Sequence, residues 1–197
     1  MARSKNYQRE HVIDAAMQVF WQHGYAATSI AQLCEASGLN KRSLYNEFGS
    51  KAELFEEALI RYRSLMNEPA KLLMVTPLGA QNVIHFFEFI AQSTAERFEG
   101  CLLTLALNET NQLEAQHRDN LQRHFSQLEE GLLANLAVDL PSAKAKIMSQ
   151  YLLNSLLGLT SWIRLKPSRD EYENVINTSL EPLRAALEQQ AGSTSSQ

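Results

Sequence analysis

Residues 28 to 51 contain two short helical segments joined by a tight glycine turn, a pattern that few folds can accommodate. Ser29 and Gln32 have the spacing of a capping box, so a helix should start at about Ser29. Gly38 follows the last polar residues of this helix, where a left-handed C-terminal stop suits glycine. The first helix of the pair is therefore expected to end near Ser37.

The second helix of the pair begins directly after the turn. Asn40 can cap it, and Leu44 and Phe48 are four residues apart, so they share a stripe that faces the core. At about 100° per residue, the opposite face is polar and carries Arg42, Ser43 and Asn46, flanked by Tyr45 and Glu47. Arginine pairs bidentately with guanine, asparagine with adenine, and serine with a base or a phosphate. The segment therefore predicts a helix-turn-helix that reads the major groove of DNA.

Lys51 lies in the first turn of a third helix, which Ser50 caps and which has Glu53 three residues on. A cation at this position opposes the helix dipole, so a negative partner is expected. A DNA phosphate approaching the helix N-terminus would satisfy both the lysine and the free N–H groups.

A wider set of residues between positions 11 and 59 carries a family resemblance: Asp14-Ala15-Ala16, Phe20, Gly24-Tyr25, Thr28-Ser29-Ile30, Gly38-Leu39, Ser43-Leu44-Tyr45 and Phe48-Gly49-Ser50-Lys51. This segment resembles the DNA-binding domain of TetR-family transcriptional regulators. The resemblance implies an all-helical homodimer that binds a palindromic operator, most often as a repressor. It also implies release of the operator when a small-molecule effector enters a larger C-terminal domain.

The resemblance also implies roles for individual residues. Thr28 or Ser29 would contact backbone phosphate, and Lys51 would clamp phosphate. The recognition helix would contact double-stranded DNA through Lys41, Arg42, Ser43, Tyr45 and Asn46. Glu47 departs from the family pattern, which often has a histidine or another neutral or basic residue before the phenylalanine. An acid there repels phosphate unless it accepts from a cytosine amino group.

The charge of the chain is unevenly distributed. The net charge is −4 over 197 residues, but residues 1–51 hold six Lys or Arg against four acids, for +2, and residues 52–197 hold twelve against eighteen, for −6. The N-terminal end is thus basic enough for a nucleic-acid partner. Arg3, Lys5 and Arg9 are expected to form either a short arm on DNA or a disordered, soluble terminus.

Glycine and proline divide the rest of the chain into helices. Gly24 should stop a first helix that starts at about Gln8, and Thr76 and Pro77 suit the cap and first turn of a later helix. The helix that begins near Pro77 is expected to end at about residue 96. Further helical segments are expected at about 51–66, 102–107, 111–137, 142–166 and around 172–187. The sequence shows no strand alternation.

These segments predict an all-α fold of about nine helices. An N-terminal three-helix helix-turn-helix domain would span residues 1–51, and a C-terminal helical ligand-binding and dimerisation domain would span residues 52–190. A disordered tail would follow over residues 191–197. The composition, with 45% hydrophobic and 20% charged residues, suits one or two globular domains with a substantial core.

Two apolar helices near the C-terminus suggest a homodimer. The stretch from Tyr151 to Ile163 is apolar nearly all round and should be covered on more than one side. Gly158 within it would allow close approach of another backbone. The last helix has an apolar stripe made of Tyr172, Val175, Ile176, Leu180, Leu183 and Leu187. Two such helices from each chain would make a four-helix dimer interface.

The candidate residues for an effector pocket are His85, Phe86, Phe89, Cys101, Tyr151, Asn154 and Trp162. Most of the aromatic rings among them are better explained as plain core, because aromatic residues at helical spacing pack whether or not a ligand exists. Cys101 lies at the start of an apolar helix. The helix dipole stabilises the thiolate form of the side chain, whereas burial disfavours the thiolate. An alternative is therefore a thiol- or electrophile-responsive regulator acting through Cys101. Cys34 lies at a core-facing position, where a small buried hydrophobe is expected.

Two further alternatives exist. Glu114 and His117 form a Glu-x-x-His pair, with His124 one heptad on, but a di-iron helix bundle needs a second such pair. A metal-binding bundle is thus the weaker explanation, the histidines are expected to be solvated, and neither a cofactor nor an enzyme activity is predicted. The second alternative is a constitutive architectural DNA-binding protein without an effector. No apolar run long enough for a membrane span and no leader pattern is found, so a cytoplasmic protein is expected.

Overall fold

A computed structural model describes residues 2–65, 67–94 and 100–194 of the chain, with side chains described over 9–65, 69–92 and 100–192. Over these ranges the fold is all helical, as predicted, with no strand. The helices are α1 (Ala2–Ala27), α2 (Ile30–Ser37), α3 (Lys41–Phe48), α4 (Lys51–Leu65), α5 (Asn67–Leu72), α6 (Ala80–Thr94), α7 (Leu102–Asn108), α8 (Ala115–Asp139), α9 (Ser142–Trp162) and α10 (Arg169–Thr194). Short 3-10 turns occupy Thr110–Gln112 and Ile163–Leu165.

Within the described residues there are ten α-helices against the expected number of about nine, because residues 67–72 form the separate helix α5. α1 starts at Ala2, six residues earlier than expected, so the side chains of Arg3 and Lys5 lie outside the part of the chain whose side chains are described. α10 runs through Pro182 to Thr194. The tail expected to be disordered from residue 191 is therefore helical over its first four residues, and residues 195–197 lie outside the described ranges.

Contacts divide the chain into two compact units. The first comprises residues 1–66 together with 101–122, and the second comprises residues 67–100 together with 123–197. These units differ from the functional division of the sequence analysis. That division, into a DNA-binding domain over residues 1–51 and a ligand-binding and dimerisation domain over residues 52–190, stays a prediction. The first unit thus contains the helix-turn-helix, α4, α7 and the beginning of α8.

The first unit is built on the packing of α1 against α4. Phe20 of α1 meets Phe55 of α4 edge to face with ring centroids 4.8 Å apart, and Trp21 meets Tyr62 in the same way at 5.0 Å. Phe20 and Phe55 are fully buried. Paired rings of this kind add about 1 kcal/mol each to their burial, so α4 is firmly packed against α1.

The second unit is built around a separate hydrophobic core from α6, α8, α9 and α10. Its most deeply buried side chains include Val83, Phe87, Leu132, Leu136, Leu152, Tyr172, Leu180 and Leu183. The apolar stripe predicted on α10 therefore faces this core in large part, and only Val175, at 42% exposed, lies clearly outside it. The apolar stripe of α10 therefore packs mainly within its own chain.

α6 begins at Ala80, so the expected start at Thr76 and Pro77 is wrong. Asp139 Oδ2 accepts from the Ala80 N–H at 2.6 Å, and Asn135 Oδ1 accepts from the Gly79 N–H at 3.1 Å. Both acceptors come from α8 and satisfy N–H groups at the helix start. Asn135 is fully buried and also donates to the carbonyl of Leu73 at 2.8 Å. The cap of α6 is therefore a tertiary contact.

Candidate DNA-binding interface

α2 has both ends that the sequence predicts. Ser29 is its N-cap, its Oγ accepts from the Gln32 N–H at 3.2 Å, and Gln32 Oε1 accepts from the Ser29 N–H at 2.8 Å. Gly38 closes the helix in the left-handed region, with φ 71°. Leu33 is fully buried. Cys34 is half-buried rather than fully so.

α3 presents its polar face outward. Asn40 caps it by accepting from the Ser43 N–H at 2.9 Å, and Leu44 and Phe48 are buried on the inner side. Lys41, Arg42, Tyr45 and Asn46 are exposed, whereas Ser43 is half-buried. The ammonium of Lys41 lies 6.0 Å from the Tyr45 ring centroid. Five potential donors for DNA thus share one helix, and four of them are exposed.

Thr28 and Ser29 differ in their surroundings. Thr28 is only 2% exposed, and its Oγ1 donates to the carbonyl oxygen of Gly24 at 2.6 Å. Its hydroxyl is therefore committed to closing the turn before α2. Ser29 is exposed and lies at the N-terminus of α2, where the helix dipole favours an anion. Of the two, only Ser29 is accessible from outside, and its Oγ donates to Gln32 Oε1 at 2.9 Å.

Lys51 is half-buried at the start of α4, and its ammonium lies 4.5 Å from the centroid of the Tyr25 ring. Burial lowers the pKa of Lys51, and the negative charge of Glu109 partly opposes that effect. Ser50 caps the helix by accepting from the Glu53 N–H at 3.1 Å. A negative charge that favours the charged form of Lys51 is thus supplied within the chain by Glu109, a residue that the sequence did not single out.

Glu47 is held by Arg9. The Nε of Arg9 lies 3.3 Å from Glu47 Oε1, and the same guanidinium hydrogen-bonds the carboxylate of Glu57. That hydrogen bond, together with the charges of Glu57 and Glu47, raises the pKa of Arg9 above its usual range. The Arg9 guanidinium also lies 5.0 Å from the ring centroid of Phe48. Arg9, expected as part of an arm on DNA, is instead part of the packing between α1, α3 and α4.

The turn between α1 and α2 depends on Glu109. Gly24 has φ 81° and ψ 173°, which interrupts the helical geometry of α1. Glu109 Oε2 accepts from the Tyr25 N–H at 2.6 Å, and Oε1 accepts from the Ala26 N–H at 3.3 Å. Eighty-four residues separate Tyr25 from Glu109, so no local pattern in the sequence could have revealed this contact.

The candidate effector residues do not share one environment. Phe86 is buried and meets Phe87 edge to face at 5.5 Å, whereas Phe89 is 38% exposed and Tyr151 is 41% exposed. His85 and Asn154 are also exposed. Trp162 and Cys101 are half-buried, and the Trp162 ring stacks on Tyr172 at 6.0 Å. A pocket lined by these residues stays a prediction.

The histidines of α8 are not both solvated. His117 is 1% exposed, and its Nδ1 lies 2.7 Å from Glu56 Oε2, so the expectation of a solvated side chain is wrong for this residue. The other Glu56 oxygen accepts from Asn120 at 2.6 Å. Where side chains are described, no group of three or more His, Cys, Asp or Glu is arranged to hold a metal ion. Likewise, none of the helices in the described ranges has the length and hydropathy for crossing a membrane.

Known proteins match this chain at both the sequence and the structure level. The family "Bacterial regulatory proteins, tetR family" matches residues 12–58. The HTH-type transcriptional repressor ComR of Escherichia coli is 50% identical over 60 residues, which is 30% of this chain and only 29% of ComR. The E. coli repressor BdcR is 26% identical over 82% of each chain.

A solved structure extends the match over most of the chain. It is a cysteine mutant of the TetR family transcriptional regulator CifR in complex with 26-base-pair operator DNA. CifR is 26% identical, the match covers 87% of this chain and 94% of CifR, and the TM-score is 0.71. The relatives are transcriptional regulators rather than enzymes. With its helix-turn-helix and its helical C-terminal part, this chain belongs to the TetR family and is a DNA-binding transcriptional regulator.

Proposed function

We propose that the protein is a homodimeric repressor that acts in the cytoplasm, binds a palindromic operator through α3 and leaves it when a small molecule binds. The observation that carries this proposal is the accessible face of α3. One side of α3 is buried through Leu44 and Phe48. The exposed side chains of the helix are those of Lys41, Arg42, Tyr45 and Asn46. A helix that is fixed on one side and rich in donors on the other can enter the major groove.

The proposed contacts divide into two kinds. Arg42 and Asn46 would read base edges, since both can make bidentate pairs. Ser29, Lys51 and Ser43 would bind phosphates and set the register, as N–H and hydroxyl donors commonly do. Thr28 would act indirectly, because its hydroxyl is already bonded to Gly24. Lys41 and Tyr45, whose side chains face each other, would contact the backbone beside the bases.

α9 supports the proposed homodimer. Ile147 is 69% exposed and Tyr151 is 41% exposed, and Asn154 and Gly158 continue the same face at helical spacing. Apart from the adjoining residues and backbone of α9 itself, none of the described atoms lies within 4 Å of where a Cβ on Gly158 would be. Two large apolar side chains left exposed one helical turn apart, Ile147 and Tyr151, favour an interface at this face. Paired two-fold faces on α9 and α10 would hold two α3 helices at half-site spacing.

The effector would act on the distance between the two recognition helices. Residues 52–190 would supply the effector pocket and the dimer face, and residues 1–51 would supply the DNA contacts. The ligand must bind the DNA-incompetent state more tightly than the competent one. α4 is the proposed lever, because it starts at Lys51 and packs against α1 through Phe55 and Tyr62.

A second candidate function is release by modification of Cys101. This thiol is half-buried and directly precedes α7, a helix that packs against α1 in the first unit. CifR, whose solved structures carry cysteine substitutions, is a structural relative of this chain. If Cys101 is the sensor, a thiol-reactive electrophile should release operator from the wild type and from Cys34→Ser, but not from Cys101→Ser.

The proposed function is tested by fluorescence anisotropy against a selected palindromic duplex and a scrambled duplex over a salt series. A preference of about a thousandfold or more for the palindrome would establish specific recognition. Equal and steeply salt-dependent binding to both duplexes would contradict it and favour the architectural alternative. The same assay then screens small apolar and aromatic compounds for release.

A further inference from the structure

The turn between α1 and α2 has a partner outside the helix-turn-helix. After Gly24 breaks α1, the N–H groups of Tyr25 and Ala26 begin a new helical turn and cannot find partners in the preceding residues. The carboxylate of Glu109 accepts from both, at 2.6 Å and 3.3 Å. Glu109 therefore acts as an N-cap supplied from the end of α7.

Gly24 and Glu109 fit each other closely. A Cβ at position 24 would lie 2.8 Å from Glu109 Oε1 and 2.9 Å from Oε2, closer than such contacts occur. The φ of 81° at Gly24 is also rarely adopted by residues with a side chain. The missing side chain at position 24 thus provides the space that the Glu109 carboxylate occupies.

The same turn leads directly to the proposed DNA contacts. The Tyr25 ring packs on Phe55 at 4.9 Å and lies under the ammonium of Lys51 at 4.5 Å. The Gly24 carbonyl accepts from Thr28, the residue before the Ser29 cap. A change in the position of Tyr25 would therefore move Lys51 on one side and the start of α2 on the other.

We propose that Glu109 is a positioning residue for operator binding, which couples the end of α7 to the phosphate contacts of Lys51 and Ser29. The proposal rests on the DNA contacts assigned under the proposed function. Two hydrogen bonds from one carboxylate hold the turn in the geometry that places both residues. A shift of α7 relative to α1 breaks these two hydrogen bonds. Phosphate binding by Lys51 and Ser29 is then weakened without any change within α3.

The test compares Glu109→Gln with Glu130→Gln, a control that removes one negative charge from an exposed site on α8. A charge-assisted hydrogen bond is strong enough that its loss should weaken operator binding about tenfold. Glu130→Gln should bind like the wild type. In ¹⁵N-labelled Glu109→Gln protein, the amide proton resonances of Tyr25 and Ala26 should shift upfield relative to the wild type. The melting temperature of the variant should stay well above the temperature of the binding assay.

A double-mutant cycle with Lys51→Ala separates positioning from a general loss of stability. If Glu109 acts through Lys51, the losses in operator affinity are non-additive, since the second substitution removes a contact already weakened by the first. If Glu109→Gln does not fold, Glu109→Asp keeps the charge on a shorter side chain and should give a partial loss with the same non-additivity. Strictly multiplicative losses would overturn the proposal.

The failures of the two proposals are distinguishable. A wild-type protein that prefers the operator, together with a Glu109→Gln variant that binds it equally well, would overturn only the role of Glu109. A wild-type protein with no preference for the operator would overturn the proposed function and, with it, the coupling to phosphate.

Discussion

Arg9 of α1 and Glu47 of α3 form an ion pair, with the Arg9 Nε 3.3 Å from Glu47 Oε1. This ion pair explains why α3, the helix proposed to approach the DNA polyanion, can carry the acidic residue Glu47. The guanidinium neutralises Glu47 and Glu57 together and lies over Phe48 at 5.0 Å. Glu47 therefore serves to fix the recognition helix against α1 and α4, and its repulsion of phosphate is reduced.

Arg9→Ala should destabilise the protein by about 1 kcal/mol, from two partly exposed ion pairs and one cation–π contact. Urea denaturation of the purified protein measures this change. Lys146→Ala, which removes a partner 2.5 Å from Glu129 elsewhere in the fold, is the control and should cost less. An equal loss in both variants would show that the Arg9 cluster contributes no more than a surface pair.

Arg42→Ala should weaken binding to the selected operator by about 1 to 3 kcal/mol and relax discrimination at one base position. The physical reason is the loss of a bidentate pair to guanine from an exposed side chain. Anisotropy with the operator and its single-base variants measures it. A loss that is the same for every duplex would assign Arg42 to the phosphate backbone.

Lys51→Ala should weaken binding to all duplexes about equally and reduce the slope of log affinity against log salt by roughly one unit. The ammonium of Lys51 is proposed to meet phosphate, which carries no base information. The measurement is the salt series with operator and scrambled DNA. An unchanged slope would place Lys51 away from the DNA.

Ile147→Asp should raise the dimer dissociation constant by about thirtyfold, the effect of losing some 2 kcal/mol at an interface centre. Sedimentation velocity over a concentration series measures the monomer fraction. Ile60→Asp is the matched control, because Ile60 is an exposed isoleucine on α4, at 56% against 69% for Ile147. If both variants associate like the wild type, the exposed face of α9 does not hold the dimer.

His117→Ala should destabilise the protein by about 2 to 3 kcal/mol, since it removes a buried ring and one partner of the Glu56 carboxylate. His124→Ala, on the same helix and only half-buried, should cost less than about 1 kcal/mol. Chemical denaturation measures both. Equal small effects would mean that the His117–Glu56 contact is not formed in solution.

Local signals account for what the sequence predicted correctly. Ser29 with Gln32, Gly38, and Asn40 with Leu44 each act over three or four residues, and the structure has each of them as expected. Where the deciding contact came from elsewhere, the predictions failed. α6 starts at Ala80 because Asp139, 59 residues away, accepts from it, and His117 is buried because Glu56 lies beside it.

The sequence alone predicts most of the helices, the helix-turn-helix and the family resemblance, because these depend on caps, periodicity and short motifs that are complete within a few residues. The contacts of Arg9, Glu109 and Glu47 became clear only from the fold. Each of these charged groups could pair with several distant partners, and the packing of α1 against α3, α4 and α7 brings together the ones that do. The sequence shows which side chains are charged or can form hydrogen bonds, but the fold determines which partner each of them contacts.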